Sequence, residues 1–85
     1  MSVFRDLVLK IVSEIPKGTV MTYKEVAKKA GNEKAARAVG IIMKNNYLKH
    51  VPCHRVIRSD GKIGDYNRGG NSAKIALLIK EGITL

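Results

Sequence analysis

Between Pro16 and the Asn45-Asn46 pair there is room for only two short helices, and one glycine, Gly31, stands between them. That arrangement constrains the fold more than any other feature of the chain. Thr22 opens the first of the two as an N-cap, and Glu25, three residues on, completes a capping box ahead of Val26 and Ala27. Gly31 stops this helix, because glycine tolerates the left-handed conformation that closes a helix. Asn32 caps the next one, which runs from Glu33 to about Lys44 and packs through Ala35, Ala36, Ala38, Val39, Ile42 and Met43. Two short helices joined by a tight glycine turn read as a helix-turn-helix, and the second of them carries Arg37 and Lys44.

The flanking segments complete the outline. Phe4, Leu7, Val8, Ile11, Val12 and Ile15 recur at helical spacing; Ser2 caps this helix and Pro16 ends it. Val56-Ile57-Arg58 and Lys62-Ile63-Gly64 flank Ser59-Asp60-Gly61, and Asp-Gly between β-prone residues signals a hairpin, which after a helix-turn-helix forms a wing. A glycine-rich loop leads to a last helix from about Ser72 to Lys80, burying Ile75, Leu78 and Ile79 and closing at Gly82. The expected fold is mainly α with a small β hairpin, a winged helix-turn-helix, in one domain spanning residues 1–85.

Charge narrows the partners. Sixteen Lys and Arg face seven Asp and Glu, a net charge of +9 that favours a polyanion, nucleic acid first. With no Trp and one Phe, a groove that stacks single-stranded bases is not expected. No run approaches the ~18 apolar residues of a membrane span, and the start lacks the pattern of a signal peptide, so a cytoplasmic protein is expected. The single cysteine excludes an internal disulfide. Cys53, His54, His50 and the few acids lack the paired spacing of structural zinc, so no metal is expected.

Chemistry concentrates in Val51-Pro52-Cys53-His54-Arg55-Val56. A thiol beside an imidazole and a guanidinium lies in an electropositive setting, which favours the thiolate, a soft nucleophile suited to saturated carbon. Pro52 fixes the local backbone. A lone cysteine is also a common small core residue, and neighbours in sequence need not face each other, so the segment alone leaves both readings open.

The order of segments resembles the C-terminal domain of the O6-alkylguanine-DNA alkyltransferases, the methylated-DNA–protein-cysteine methyltransferases. Their signature Pro-Cys-His-Arg-Val stands here as Pro52 to Val56. Ile15-Pro16-Lys17-Gly18-Thr19-Val20 with Thr22-Tyr23 resembles the lead-in to the family's helix-turn-helix, and Ala35 to Gly40 its recognition helix. Asn45 matches the asparagine hinge, Ser59-Asp60-Gly61 with Gly64 and Tyr66 the active-site loop, and Leu77-Leu78 with Glu81-Gly82 the terminal helix.

The resemblance implies roles. Cys53 is the alkyl acceptor, and His54, held by Glu81, draws off its proton through a water. Tyr23 helps to rotate the nucleotide out of the duplex and protonates the departing base. Arg37 fills the gap in the stack, and Asn45 braces the active-site turn. Arg37, Tyr23, Thr22, Ala35, Ala36, Gly40 and Lys44 form the DNA-binding set. Pro52, Val56, Ser59, Gly64, Tyr66 and Asn67 wall the guanine pocket. The partner implied is double-stranded DNA with an alkylated guanine, met in the minor groove by a monomer. The reaction implied is direct, stoichiometric transfer without a cofactor. His50 is read as solvated or phosphate-facing, with no catalytic role.

The chain departs from the family in three respects. It is about half the length of full members, so it corresponds to the C-terminal domain without the N-terminal one. Its loop reads Asp65-Tyr66-Asn67-Arg68-Gly69-Gly70, where Arg68 looks inserted. Its shortness resembles the alkyltransferase-like proteins, which bind the same lesions but carry another residue in place of the cysteine and transfer nothing. Two alternatives to transfer follow: lesion binding alone, or an ordinary winged-helix regulator.

Overall fold

The computed structural model describes residues 3–46, 48, 51–58 and 69–84. Four helices and a small parallel sheet surround one core. The chain order is α1 (Val3–Ser13), β1 (Met21–Thr22), α2 (Tyr23–Lys29), a 3-10 turn (Glu33–Ala35), α3 (Ala36–Lys44), a second 3-10 turn (Cys53–Arg55), β2 (Val56–Ile57) and α4 (Gly70–Lys80). No helix among these residues is long and apolar enough to cross a membrane.

The helix-turn-helix forms as its punctuation implies. Thr22 Oγ1 accepts from the Glu25 backbone, and Glu25 Oε1 accepts from the Thr22 backbone, both at 3.0 Å. Past α2, Gly31 sits at φ +98°, its N–H donates to Lys28 and that of Asn32 to Ala27. This pair of bonds satisfies the carbonyls a helix end leaves open. The Asn32 side chain accepts from the Lys34 backbone, but the first turn after it is 3-10 rather than α, so α3 proper starts three residues later than the spacing predicts.

The core differs from the expected stripes at identifiable places. Val8, Val12 and Ile15 are buried, and Phe4 and Ile11 pack against the cluster. Leu7 is 41% exposed, because the buried face centres on Val8 and Val12 and carries Leu7 round to its edge. On α4, Leu78 is buried, but Ile79 is 57% exposed and the fully buried neighbour one turn before Leu78 is Lys74. The stripe at residues 74 and 78, not an apolar triplet, faces the core.

The described sheet is parallel: Met21 pairs with Val56 and Thr22 with Ile57. Val56–Ile57, expected as the first arm of a hairpin, is therefore a strand that also joins the helix-turn-helix to the cysteine segment. The hairpin turn at Ser59-Asp60-Gly61 and its second arm lie outside the described residues.

A Cβ added at Gly31 would meet nothing within 4 Å, so a substitution there reads backbone strain alone. Gly31→Ala is expected to lower unfolding free energy by about 1 kcal/mol, and Gly31→Asn by less, since asparagine visits the left-handed region more readily. Denaturant titration of the three proteins measures both.

Candidate active site

Cys53, His54 and Arg55 form a single 3-10 turn, entered from Pro52 and leaving directly into β2. The Cys53 N–H donates to Val51 and that of Arg55 to Pro52, both at 2.9 Å. Cys53 is 4% exposed and belongs to the core cluster. A thiol so covered is shielded from solutes that diffuse past.

The next two side chains point at one carboxylate. Glu81 caps the C-terminus of α4, where Gly82 at φ +94° donates to Ile79 and Ile83 to Leu78, closing the helix and fixing the cap. Its Oε2 lies 3.0 Å from His54 Nε2. Arg55 Nε donates to Oε1 at 2.9 Å and Nη2 to Oε2 at 2.6 Å, while Nη1 donates to the Ile15 carbonyl at 2.8 Å. These side chains are mostly covered, with His54, Arg55 and Glu81 12%, 16% and 11% exposed. The hydrogen bond from Arg55, helped by that from His54 and opposed by burial, holds the Glu81 carboxyl down at about 2. The Arg55 guanidinium is correspondingly raised by its bond to Glu81. An ionised carboxylate only accepts, so His54 is the donor, from Nε2; in the neutral imidazole this makes Nδ1 the acceptor nitrogen. The Arg55 guanidinium, expected to make the thiol's setting electropositive, is paired with Glu81.

Sequence reasoning missed Lys74. Its ammonium is fully buried, donates to the Val56 carbonyl at 2.7 Å and lies 5.7 Å from the centroid of the Tyr23 ring. Lysine in a helix reads as a surface residue, and the only available signal was its place one turn before Leu78. Tyr23 is the first residue of α2, half-buried and packed against the core cluster. Val56, expected as a pocket wall, has its side chain sealed in the core and its carbonyl taken by Lys74.

The two adjacent asparagines differ in burial. Asn45, expected to brace the active-site turn, is exposed and only its backbone N–H caps α3. Asn46 is the buried one, and its Oδ1 accepts from the Leu48 backbone at 3.1 Å. The helix ends between them, so consecutive residues face opposite surroundings.

The expected DNA-binding residues gather on the helix-turn-helix. Arg37 and Lys44 are exposed, and with the exposed Ile41 they share one face of α3 by spacing. Ala35, Ala36 and Gly40 are half-covered, and a Cβ at Gly40 would meet nothing within 4 Å, which leaves this part of the helix slim. Thr22 spends its side chain on the capping box. Pro52 is half-buried beside the cysteine. Ser59, Gly64, Tyr66, Asn67 and His50 lie outside the described residues. Among the described residues no three His, Cys, Asp or Glu side chains cluster as a metal site.

Comparison with known proteins adds an independent frame. A family model described as "6-O-methylguanine DNA methyltransferase, DNA binding domain" matches residues 3–83. The methylated-DNA–protein-cysteine methyltransferase of Rattus norvegicus is 48% identical over 80 residues, 93% of this chain and 38% of that protein. The protein of the same name from Methanothermobacter thermautotrophicus is 47% identical over 82 residues, 96% of this chain and 46% of its own length. The chain thus spans less than half of these curated relatives. Among solved structures, S. pombe Atl1 bound to damaged DNA containing O6-carboxymethylguanine matches with a TM-score of 0.87 at 38% identity, over 99% of this chain and 80% of that one. Mycobacterium tuberculosis OGT in complex with DNA matches with a TM-score of 0.87 at 41% identity, over 95% of this chain and 49% of that one.

Two outcomes follow from this geometry. Labelling of Cys53 by a small disulfide reagent is expected to be at least about tenfold slower in the folded protein than in urea, since reactivity follows access. Because the folded Glu81 carboxyl is held at about 2 against an ordinary 4.5, the stability it supplies is complete above pH 4.5 and lost as pH falls toward about 2. Melting temperature against pH should therefore be flatter over that window in Glu81→Gln than in the wild type.

Proposed function

The chain belongs to the 6-O-methylguanine DNA methyltransferase family through its DNA-binding domain, and on that premise we propose that it repairs DNA by moving an alkyl group from O6 of guanine to Cys53. The observation that carries this reading is the Cys53-His54 turn with His54 Nε2 held by Glu81. An imidazole fixed in this tautomer offers Nδ1 as the base for a thiol proton, by way of a water.

The proposed reaction begins at duplex DNA. Arg37 and Lys44 on the exposed face of α3, with the slim stretch at Ala36 and Gly40, meet the minor groove, whose edges carry little sequence information. That indifference suits a protein that must find lesions in any context. The damaged nucleotide is turned out of the stack at a cost of roughly a few kcal/mol, and Arg37 enters the space it leaves. Such extrusion also answers the burial of Cys53: the reacting carbon is brought to the sulfur.

The chemistry then balances without a cofactor. The thiol proton passes to His54, and the thiolate sulfur attacks the alkyl carbon. A sulfur–carbon bond forms as the carbon–O6 bond breaks, and the bonding pair leaves with the guanine. Tyr23 gives that base a proton. A thioether has no easy return path, so each molecule acts once.

A second reading has its own support. Atl1, crystallised with damaged DNA, is matched over nearly the whole of this chain. Lesion binding without transfer therefore stands beside the leading proposal. It is disfavoured by Cys53, since the alkyltransferase-like proteins carry another residue there.

Intact-protein mass after incubation with duplex containing O6-methylguanine separates the two. Transfer predicts a gain of one methyl group in the wild type and none in Cys53→Ala. Tight binding of the lesion duplex by both proteins with no mass change would establish the second reading instead.

Arg37→Ala is expected to weaken binding to the lesion duplex more than binding to undamaged duplex in fluorescence anisotropy. Equal losses would make Arg37 a phosphate contact only.

A further inference from the structure

The Ile15–Thr19 segment and Arg55 have no part in the mechanism above, yet both touch the Glu81 end of the His54–Glu81 pair. Every nitrogen of the Arg55 guanidinium is engaged: Nε and Nη2 grip the two oxygens of Glu81, and Nη1 holds the Ile15 carbonyl. Ile15 is buried in the core cluster, so that carbonyl is a fixed point. The turn that follows is tight, with the Thr19 N–H donating to Pro16 at 3.1 Å. Within it Gly18 sits at φ +85°, and a Cβ there would stand 3.3 Å from the Glu81 carbonyl oxygen. One turn of chain thus abuts both the backbone of Glu81 and the arginine that grips its side chain.

We propose that Arg55, mounted on the Ile15 carbonyl, is a positioning residue for the His54–Glu81 pair: it fixes the plane of the carboxylate and aims one of its oxygens at the imidazole. Side-on contact at two points fixes the plane of the carboxylate, which one contact cannot do. Oε2 accepts from Nη2 and still meets His54 Nε2 at 3.0 Å. With Glu81 so oriented, His54 has one favoured tautomer, the one that leaves Nδ1 as acceptor. The ionisable groups near this imidazole include Glu81 from the end of α4, in direct contact, and its chain neighbours Arg55 and Cys53 on the same turn. The depressed Glu81 carboxyl agrees with the same arrangement. The inference rests on the reading that the His54–Glu81 pair serves Cys53.

The test uses the full chain in three forms: wild type, Arg55→Met and Arg55→Lys. Nitrogen-15 NMR of the imidazole, assigned with His54→Gln, reports the tautomer, and carbon-13 NMR of the Glu81 carboxyl reports its titration. In the wild type, the Nε2–H tautomer dominates and Glu81 titrates at about 2. In Arg55→Met the tautomers mix and the Glu81 midpoint climbs toward the ordinary value of 4.5. Arg55→Lys keeps the charge but loses the fork, so the midpoint stays low while the tautomers still mix. Single-turnover transfer from an O6-methylguanine duplex should fall on the order of tenfold in Arg55→Met and be partly restored in Arg55→Lys. The same Arg55→Met change in a Glu81→Gln background should cost nothing more. An unaltered tautomer and midpoint in a folded Arg55→Met protein would overturn the proposal, even with transfer intact. The NMR changes in a chain whose wild type transfers no alkyl group would uphold it and remove the transferase reading instead.

Discussion

One carboxylate ties the end of this chain to its middle and its beginning. Glu81 closes α4, grips the arginine and histidine of the cysteine turn, and through Arg55 reaches Ile15, the first buried residue after α1. The Cys53–Arg55 turn has few backbone bonds of its own, as short 3-10 segments do. Its side chains, rather than its ladder, hold it in place. A covered ion pair of this kind adds little net stability, because desolvation offsets much of its attraction. What it supplies is direction. Lys74 does similar work on the other side of the turn, where its ammonium fixes the Val56 carbonyl and lies by the Tyr23 ring. The cysteine segment is therefore held by charged groups from the middle and from the C-terminal cap of α4.

How much of this could be read beforehand follows from the range of each interaction. The capping box at Thr22 and Glu25, the stop at Gly31 and the cap at Asn32 are local, and local chemistry leaves its mark in adjacent residues. The link between His54 and Glu81 is 27 residues long and came only from the family resemblance, not from periodicity. The parallel pairing of Met21–Thr22 with Val56–Ile57 gave no signal, because two residues are too few to show an alternating pattern. Lys74 was invisible for a different reason: a hydropathy pattern places lysine outside, and only the Val56 carbonyl and Tyr23 explain why it is inside. Asn45 and Asn46 show the resolution limit of pattern reading, since a helix end between two identical residues decides which is buried.

The cations and the cysteine lie in opposite surroundings. Arg37 and Lys44 on α3 are exposed, and Cys53 is almost wholly covered. The first arrangement favours fast, sequence-tolerant encounter with a polyanion. The second shields the sulfur from solutes in passing. The small parallel sheet and the packing of Tyr23 on the shared core join the two parts without merging them.

If Cys53 accepts an alkyl group as proposed, its near-complete coverage has a consequence for the product. An alkyl group fixed to that sulfur would need volume in a cluster that includes Cys53 among its close-packed members. Overfilling a well-packed interior costs typically about 1–3 kcal/mol, a sizeable share of the ~5–15 kcal/mol that keeps an ordinary domain folded. A used copy would thus be looser than a fresh one, and its history would be written in its compactness.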